Sequence, residues 1–397
     1  MIVASRATRL FPLCLRSSLP IVAPISALCA MLLAAASAAA AVPIPKPPSL
    51  DARGYVLLDH ASGRVLAELK ADERMEPASI TKMMTAYAVF KALAEKRLAL
   101  NEPVTISERA WRAEGSRTFV QVGTQVPAEV LIKGMIVQSG NDATIALAER
   151  VGGTEEAFAQ LMNEYAKRLG MTASNFTNST GLPDPNLYTT ARDIATLARA
   201  MIREFPQYYR WYSLREFTWN NITQPNRNGL LARDPSVDGI KTGHTESAGY
   251  CLVTSANRRN MRLVSVVLGS SSMKAREDAS AALLNYGYTF YETVRVRAAG
   301  ESILQPRVYQ GAVESVAVAP ARDVLVTLGR GSAGNLRTEA TVREPLIAPL
   351  AANKAVGELI VRDGDDIVAR VPLFPKAAVA EGGLWSRLTD GIALWFR

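Results

Sequence analysis

The stretch Pro77-Ala78-Ser79-Ile80-Thr81-Lys82 sets a serine and a lysine three residues apart at the start of a predicted amphipathic helix. One helical turn puts both side chains on the same side. A serine hydroxyl needs a base to become a nucleophile, and a lysine held neutral by burial or by a neighbouring cation can supply it. A helix start also offers free backbone N–H groups that can stabilise an oxyanion. Spacing alone does not select this pair, because Ser271 and Lys274 repeat it. Histidine chemistry is poorly supplied, since the chain has 2 histidines, His60 and His244. His60 is expected to be a solvent-exposed residue at a hairpin turn. A Ser-His-Asp triad would rest on His244, without a G-x-S-x-G elbow to present the serine. A His/Cys zinc site lacks ligands, and neither a Walker loop nor a dinucleotide fingerprint occurs, so no metal or cofactor is expected.

Two further motifs carry chemistry. Ser139-Gly140-Asn141 falls between two predicted helices, although Ser255-Ala256-Asn257 matches the same S-x-N pattern. Lys241-Thr242-Gly243 is expected to open a strand after an Asp238-Gly239 turn. Its lysine and threonine can donate to a carboxylate, and its glycine lets another backbone lie close.

The elements that must position these groups are legible in outline. Residues 54–69 read as a β-hairpin around Ser62-Gly63, and residues 79 to about 204 are mostly helical in period. "NRRN" at 257–260 turns between two β-rich runs, and residues 275–294 suggest a closing helix. Strands at both ends with helices between them imply one sheet whose edges come from distant sequence. From about residue 295 to 375, short β-branched runs alternate with Gly, Pro and Asn turns, as in a small all-β domain. The last residues, "GGLWSRLTDGIALWFR", place Leu384, Trp385, Leu388, Ile392, Trp395 and Phe396 on one arc behind a Gly-Gly hinge. This segment is too short to span a bilayer and reads as a helix lying in a membrane surface.

At 397 residues with 48% apolar and 21% charged residues, the chain is globular in composition. No basic stretch with interleaved aromatics appears, so nucleic-acid binding has no support. Arg6, Arg9 and Arg16 precede an apolar run ending in small residues, as in an export signal over residues 1–41. Cys14 and Cys29 would leave with it, and the remaining Cys251 is expected to be a buried, inert thiol. Residues 42–50 are a proline-rich linker.

S-x-x-K, S-x-N and K-T-G in this order resemble the penicillin-recognising serine enzymes. Within them, "PASITKMMTAY", "IVQSGNDA", "NSTGLPDPNLYTTARDIA" and "VDGIKTGHTESAGYCLV" resemble the low-molecular-weight penicillin-binding proteins, the D-alanyl-D-alanine carboxypeptidases. The resemblance implies an α/β (α+β) fold: a β-lactamase/transpeptidase-like antiparallel sheet flanked by helices, with a helical subdomain. It assigns residues 42–294 to the catalytic domain, 295–376 to a β-rich domain and 377–397 to a membrane-anchoring segment. It implies Ser79 as nucleophile, Lys82 as its base and Ser139 as proton relay. Asn141, Lys241, Thr242, Gly243 and His244 would bind substrate, with His244 acting through its backbone N–H. Arg276 would assist carboxylate recognition, and Arg227 matches another basic substrate-binding residue near the cleft. The implied substrate is a peptidoglycan stem peptide ending in D-Ala-D-Ala, with β-lactams as covalent inhibitors, on the periplasmic face of the inner membrane. A class A-like β-lactamase remains an alternative, although "NSTGLPDPNLY" offers no obvious deacylating glutamate and the middle motif is S-G-N. Another alternative is a penicillin-binding sensor or wall-binding module that acylates without turnover.

Overall fold

A computed structural model describes residues 43–395. The export-signal expectation, with Cys14 and Cys29, lies outside the described residues, as do Phe396 and Arg397. Strands β1 (Gly54–Asp59) and β2 (Val65–Leu69) form the expected hairpin. After a 3-10 turn over Ala78–Thr81 come α1 (Lys82–Ala94), β3 (Pro103–Thr105), α2 (Glu108–Trp111) and β4 (Gln125–Pro127). The helical region continues through α3 (Ala128–Val137), α4 (Asn141–Gly152), α5 (Glu155–Leu169), α6 (Ala191–Glu204) and α7 (Pro206–Tyr209). The hairpin β5 (Glu216–Trp219)/β6 (Ile222–Pro225) and α8 (Leu230–Arg233) lead to β7 (Val237–Thr245), β8 (Gly249–Arg258), β9 (Met261–Ser270) and α9 (Met273–Phe290).

The 5-stranded sheet has the order β2-β1-β9-β8-β7 and is antiparallel throughout. The N-terminal hairpin therefore pairs through β1 with β9, more than two hundred residues later (Asp59 opposite Leu263), as strands at both ends of the region required. Both faces are buried, and the strands read as continuous apolar runs. Leu252, Leu263 and Val267 face Leu283 and Leu284 of α9 on one side. Val253, Val264 and Val266 face the helical layer with Met84 and Ile194 on the other. Each such fully buried side chain contributes about 1.5–3 kcal/mol. Threonine or serine caps start several of these helices, Thr154 for α5, Thr190 for α6 and Ser272 for α9.

Three local expectations change. Helix α1 is not amphipathic: Met83 through Phe90 are all buried, so it runs through the core. Lys241-Thr242-Gly243 does not open a strand, because β7 already starts at Val237 and absorbs Asp238-Gly239 through a shift in register. His60 is not solvent-exposed. It is half-buried, and burial, aided by Arg262 and Arg199, pushes its imidazole down to about 4.

The β-rich region begins at β10 (Tyr291–Arg297), so residue 294 falls inside a strand. It continues with β11 (Val308–Tyr309), β12 (Val318–Pro320), β13 (Val324–Gly329), β14 (Leu336–Val342), β15 (Leu346–Ile347), β16 (Gly357–Asp363) and β17 (Asp366–Pro375). A 4-stranded sheet of order β12-β17-β16-β14 and the pair β10-β13 enclose a core with Val318, Val326, Leu328 and Leu373. Buried Asp59, at the end of β1, ties the two regions together. It accepts from Ser62 Oγ at 2.9 Å and Thr293 Oγ1 at 2.9 Å, and Ser62 meets Thr327 at 2.7 Å. Helix α10 (Leu384–Trp395) closes the described chain.

Candidate active site

Ser79 sits in the 3-10 turn and Lys82 is the first residue of α1. This offset from one element to the next aims both groups at the same point: Lys82 Nζ stands 3.0 Å from Ser79 Oγ. The amine also donates to the Thr180 carbonyl at 2.6 Å. Lys82 is buried, and desolvation, with the Arg227 charge in support, lowers it to about 7 against the opposing pull of Asp142 and Glu155. The decoy pair differs in surroundings, not in spacing or helix placement, since Ser271 and Lys274 also flank a helix start. Ser271 Oγ donates to Asp51, and Lys274, its side chain 83% exposed, pairs with Asp278.

Ser139, in a left-handed conformation (φ 64°), precedes α4, and Asn141 is that helix's first residue. Asn141 donates through Nδ2 to the Glu114 carbonyl at 2.6 Å and through its backbone N–H to Ser116 O at 2.7 Å. Buried Asp142 accepts from the backbone N–H of Thr118 at 2.7 Å, and so holds residues 114–120 against the helix start. Ser139 Oγ, Asn141 Oδ1 and Gln138 Oε1 are buried and make no hydrogen bond to the described residues. Buried polar atoms without partners are costly, and here they gather beside one opening.

Strand β7 forms the other wall. A Cβ on Gly243 would lie 3.0 Å from Pro77 O and 3.2 Å from the Ala78 side chain, so glycine permits the strand to press on the turn that carries Ser79. Lys241 is buried and donates to Thr242 O at 2.9 Å. Burial, reinforced by Lys82, Arg227 and Arg276, holds its amine well below the usual lysine value. From α9, buried Arg276 donates to Gly243 O at 3.1 Å. Its Nε makes no hydrogen bond to the described residues. Exposed His244 packs at a tilt against Tyr250, with ring centroids 4.0 Å apart. Cys251 is buried, and desolvation raises its thiol to about 11.

These walls bound a cleft of about 690 Å³. Of the expected residues, Ser79, Ser139, Arg227, Thr242, Gly243, His244 and Arg276 line it, while Lys82, Asn141 and Lys241 lie buried behind it. The second S-x-N pattern is elsewhere, with Ser255 inside the sheet and accepting from Arg262 at 2.7 Å. Sequence reasoning missed Gly115, Ser116, Gln138, Asn226, Tyr250 and Met273 in the lining. Gln138 adjoins S-G-N and could have been found there; the others carry no signal before folding. No Asp or Glu lines the cleft among the described residues. With two arginines at its wall, it favours an anionic ligand end.

Comparison with known proteins agrees with this geometry. Residues 41–272 match the family described as D-alanyl-D-alanine carboxypeptidase, and residues 291–381 match the penicillin-binding protein 5 C-terminal domain. The D-alanyl-D-alanine carboxypeptidase DacC of Escherichia coli (strain K12) is 42% identical over 374 residues, 92% of this chain and 94% of that protein. The crystal structure of penicillin binding protein 5 from Haemophilus influenzae superposes with a TM-score of 0.80 at 41% identity. It covers 85% of this chain and 100% of that one. Penicillin-Binding Protein D2 from Listeria monocytogenes, solved in an ampicillin-bound form, gives 0.57 at 27% identity over 62% of this chain and 100% of that one. This chain belongs to the D-alanyl-D-alanine carboxypeptidase family.

Proposed function

We propose that this chain removes the terminal D-alanine from peptides ending in D-Ala-D-Ala, through an acyl-enzyme on Ser79. One observation carries the reading: a buried amine with its proton affinity lowered to about 7 lies 3.0 Å from the Ser79 hydroxyl. Lys82 takes the hydroxyl proton as Ser79 Oγ attacks the carbonyl between the two D-alanines. The backbone N–H groups of Ser79 and His244 hold the oxyanion. Ser139, whose Oγ has no competing partner among the described residues, returns a proton to the leaving amine, and D-alanine departs. Asn141 binds the peptide amide. Thr242, Lys241, Arg276 and Arg227 receive the terminal carboxylate, and Gly243 keeps β7 close enough for its backbone to pair with the peptide. Water then hydrolyses the ester.

The substrate on this reading is the peptidoglycan stem peptide, and β-lactams acylate the same serine because their strained amide takes the place of the scissile bond. Ampicillin bound to the related Listeria protein supports this. The absence of a carboxylate from the cleft lining, among the described residues, favours slow release of that adduct over β-lactamase turnover. The protein works at the periplasmic face of the inner membrane, with α10 lying in the membrane surface. No described helix is long and apolar enough to cross a membrane. The experiment is peptide mapping after labelling with benzylpenicillin. A stable adduct on the peptide carrying Ser79 supports the proposal, and labelling elsewhere, or none, contradicts it.

A further inference from the structure

Glu155, at the start of α5, is a buried carboxylate that does not line the cleft. Its Oε1 accepts from Ser179 N at 3.0 Å and Ser179 Oγ at 2.6 Å. Its Oε2 accepts from Arg109 Nη2 at 2.7 Å. The Ser179 carbonyl in turn accepts from Thr85 Oγ1 at 2.6 Å, on the helix that carries Lys82. The next carbonyl along, that of Thr180, is the one that receives the Lys82 amine at 2.6 Å. Gly181 follows at φ +83°, pressed so closely on Ala78 that a Cβ would fall 1.8 Å from that residue's carbonyl oxygen.

We propose that Glu155 is a positioning residue for the Lys82 amine: it pins Ser179, so that the Thr180 carbonyl holds the amine in register with Ser79. The proposal rests on Lys82 acting as the base. A neutral amine has two N–H groups and one lone pair. With one N–H spent on Thr180 O, the lone pair can face the Ser79 hydroxyl. Once Lys82 has taken the proton, the same carbonyl stabilises the ammonium. A lysine stem has four rotatable carbon–carbon bonds, so without the anchor the nitrogen wanders, and a 1 Å displacement can cost about 100-fold in rate. Three charged groups bear on this amine. Arg227 disfavours its protonated form, while Asp142 and Glu155 favour it.

The test compares Glu155→Ala, Glu155→Gln and Lys82→Met in the full chain. It reads penicillin acylation against pH, kcat and KM for D-alanine release, and the thermal midpoint. Glu155→Ala is expected to lose about 100-fold, in kcat and not in KM. Glu155→Gln keeps an acceptor oxygen for Ser179, so its rate returns to within about tenfold of the parent. Its acidic limb moves to lower pH, because a charge favouring the protonated amine has gone. If Glu155→Ala does not fold, the limb of the Gln variant decides. Parent-like acylation by Lys82→Met would overturn the base assignment itself. With Lys82→Met inert, an unmoved limb in Glu155→Gln, or losses that track only the unfolded fraction, would overturn the positioning role alone.

Discussion

A lysine with ordinary proton affinity cannot relieve a serine of its proton near neutrality; Lys82 can because its surroundings make the charged form expensive. Burial is the largest cause and Arg227 adds to it, so the amine is neutral above about pH 7 instead of the usual 10.5. The sign for activity follows. Below pH 7 the amine carries a proton and cannot accept another, so Ser79 acylation should climb as pH rises through about 7 and then level off. Stopped-flow acylation by a fluorescent penicillin measures this; a rate flat between pH 5 and 9 would exclude Lys82 as the base. Lys82→Arg, always protonated, should lower acylation by at least about 100-fold at every pH. Burial beside Lys82, Arg227 and Arg276 also holds the Lys241 amine well below the usual lysine value. Arg227 and Arg276, both in the cleft lining, supply a positive field there. A substrate carboxylate arriving beside Lys241 would favour its protonation.

At the scale of elements, the site depends on backbones that approach more closely than side chains allow. Gly181 is the sharpest case, being left-handed and in contact with Ala78, one residue before the nucleophile. Gly181→Ala should cost about 1–3 kcal/mol through overpacking, plus about 1 kcal/mol for the backbone conformation. A lower thermal midpoint with a larger proportional loss of penicillin labelling would show this, and an unchanged midpoint and labelling rate would refute it. The motifs themselves were legible because each is a few residues long and sits on one turn: S-x-x-K across a helix start, S-G-N between two helices. Strands β1, β2, β8 and β9 were legible as well, from apolar runs bounded by turns. What the sequence hid was set by contacts between distant segments. Thr180 meets Lys82 across 98 residues and Ser179 meets Glu155 across 24, and neither pairing leaves a local pattern. The same cause misplaced Lys241, since the pairing of β7 with β8 extends the strand through an Asp-Gly step that locally signals a turn. It also misjudged His60, which distant Arg199 covers by donating to its carbonyl at 2.7 Å.

In the molecule as a whole, the last described helix is fastened to the β-rich region and not hinged. Gly382 N donates to Gln310 O at 2.8 Å, and buried Asp390 accepts from Gln310 N at 2.6 Å and Arg307 Nη2 at 2.9 Å. The polar side of α10 is thereby turned to the β-rich region, leaving Leu384, Trp385, Leu388 and Ile392 exposed, Trp385 at 82%. A stripe of this kind suits a lipid surface. Leu388→Asp combined with Ile392→Asp should weaken binding to anionic vesicles at least about tenfold. D-alanine release from a soluble peptide should stay the same. Cosedimentation equal to the parent protein would refute the membrane role proposed for α10. The Asp59–Thr293–Thr327 network joins the other end of the β-rich region to the β1–β2 hairpin, so the fastened helix and the cleft belong to one connected body. The most direct measurement is D-alanine release from a soluble pentapeptide ending in D-Ala-D-Ala, comparing the parent chain with Ser79→Ala at matched thermal midpoints. The parent should release D-alanine with turnover and the variant should release none above background. Equal release by both would contradict the assignment of Ser79 as the nucleophile.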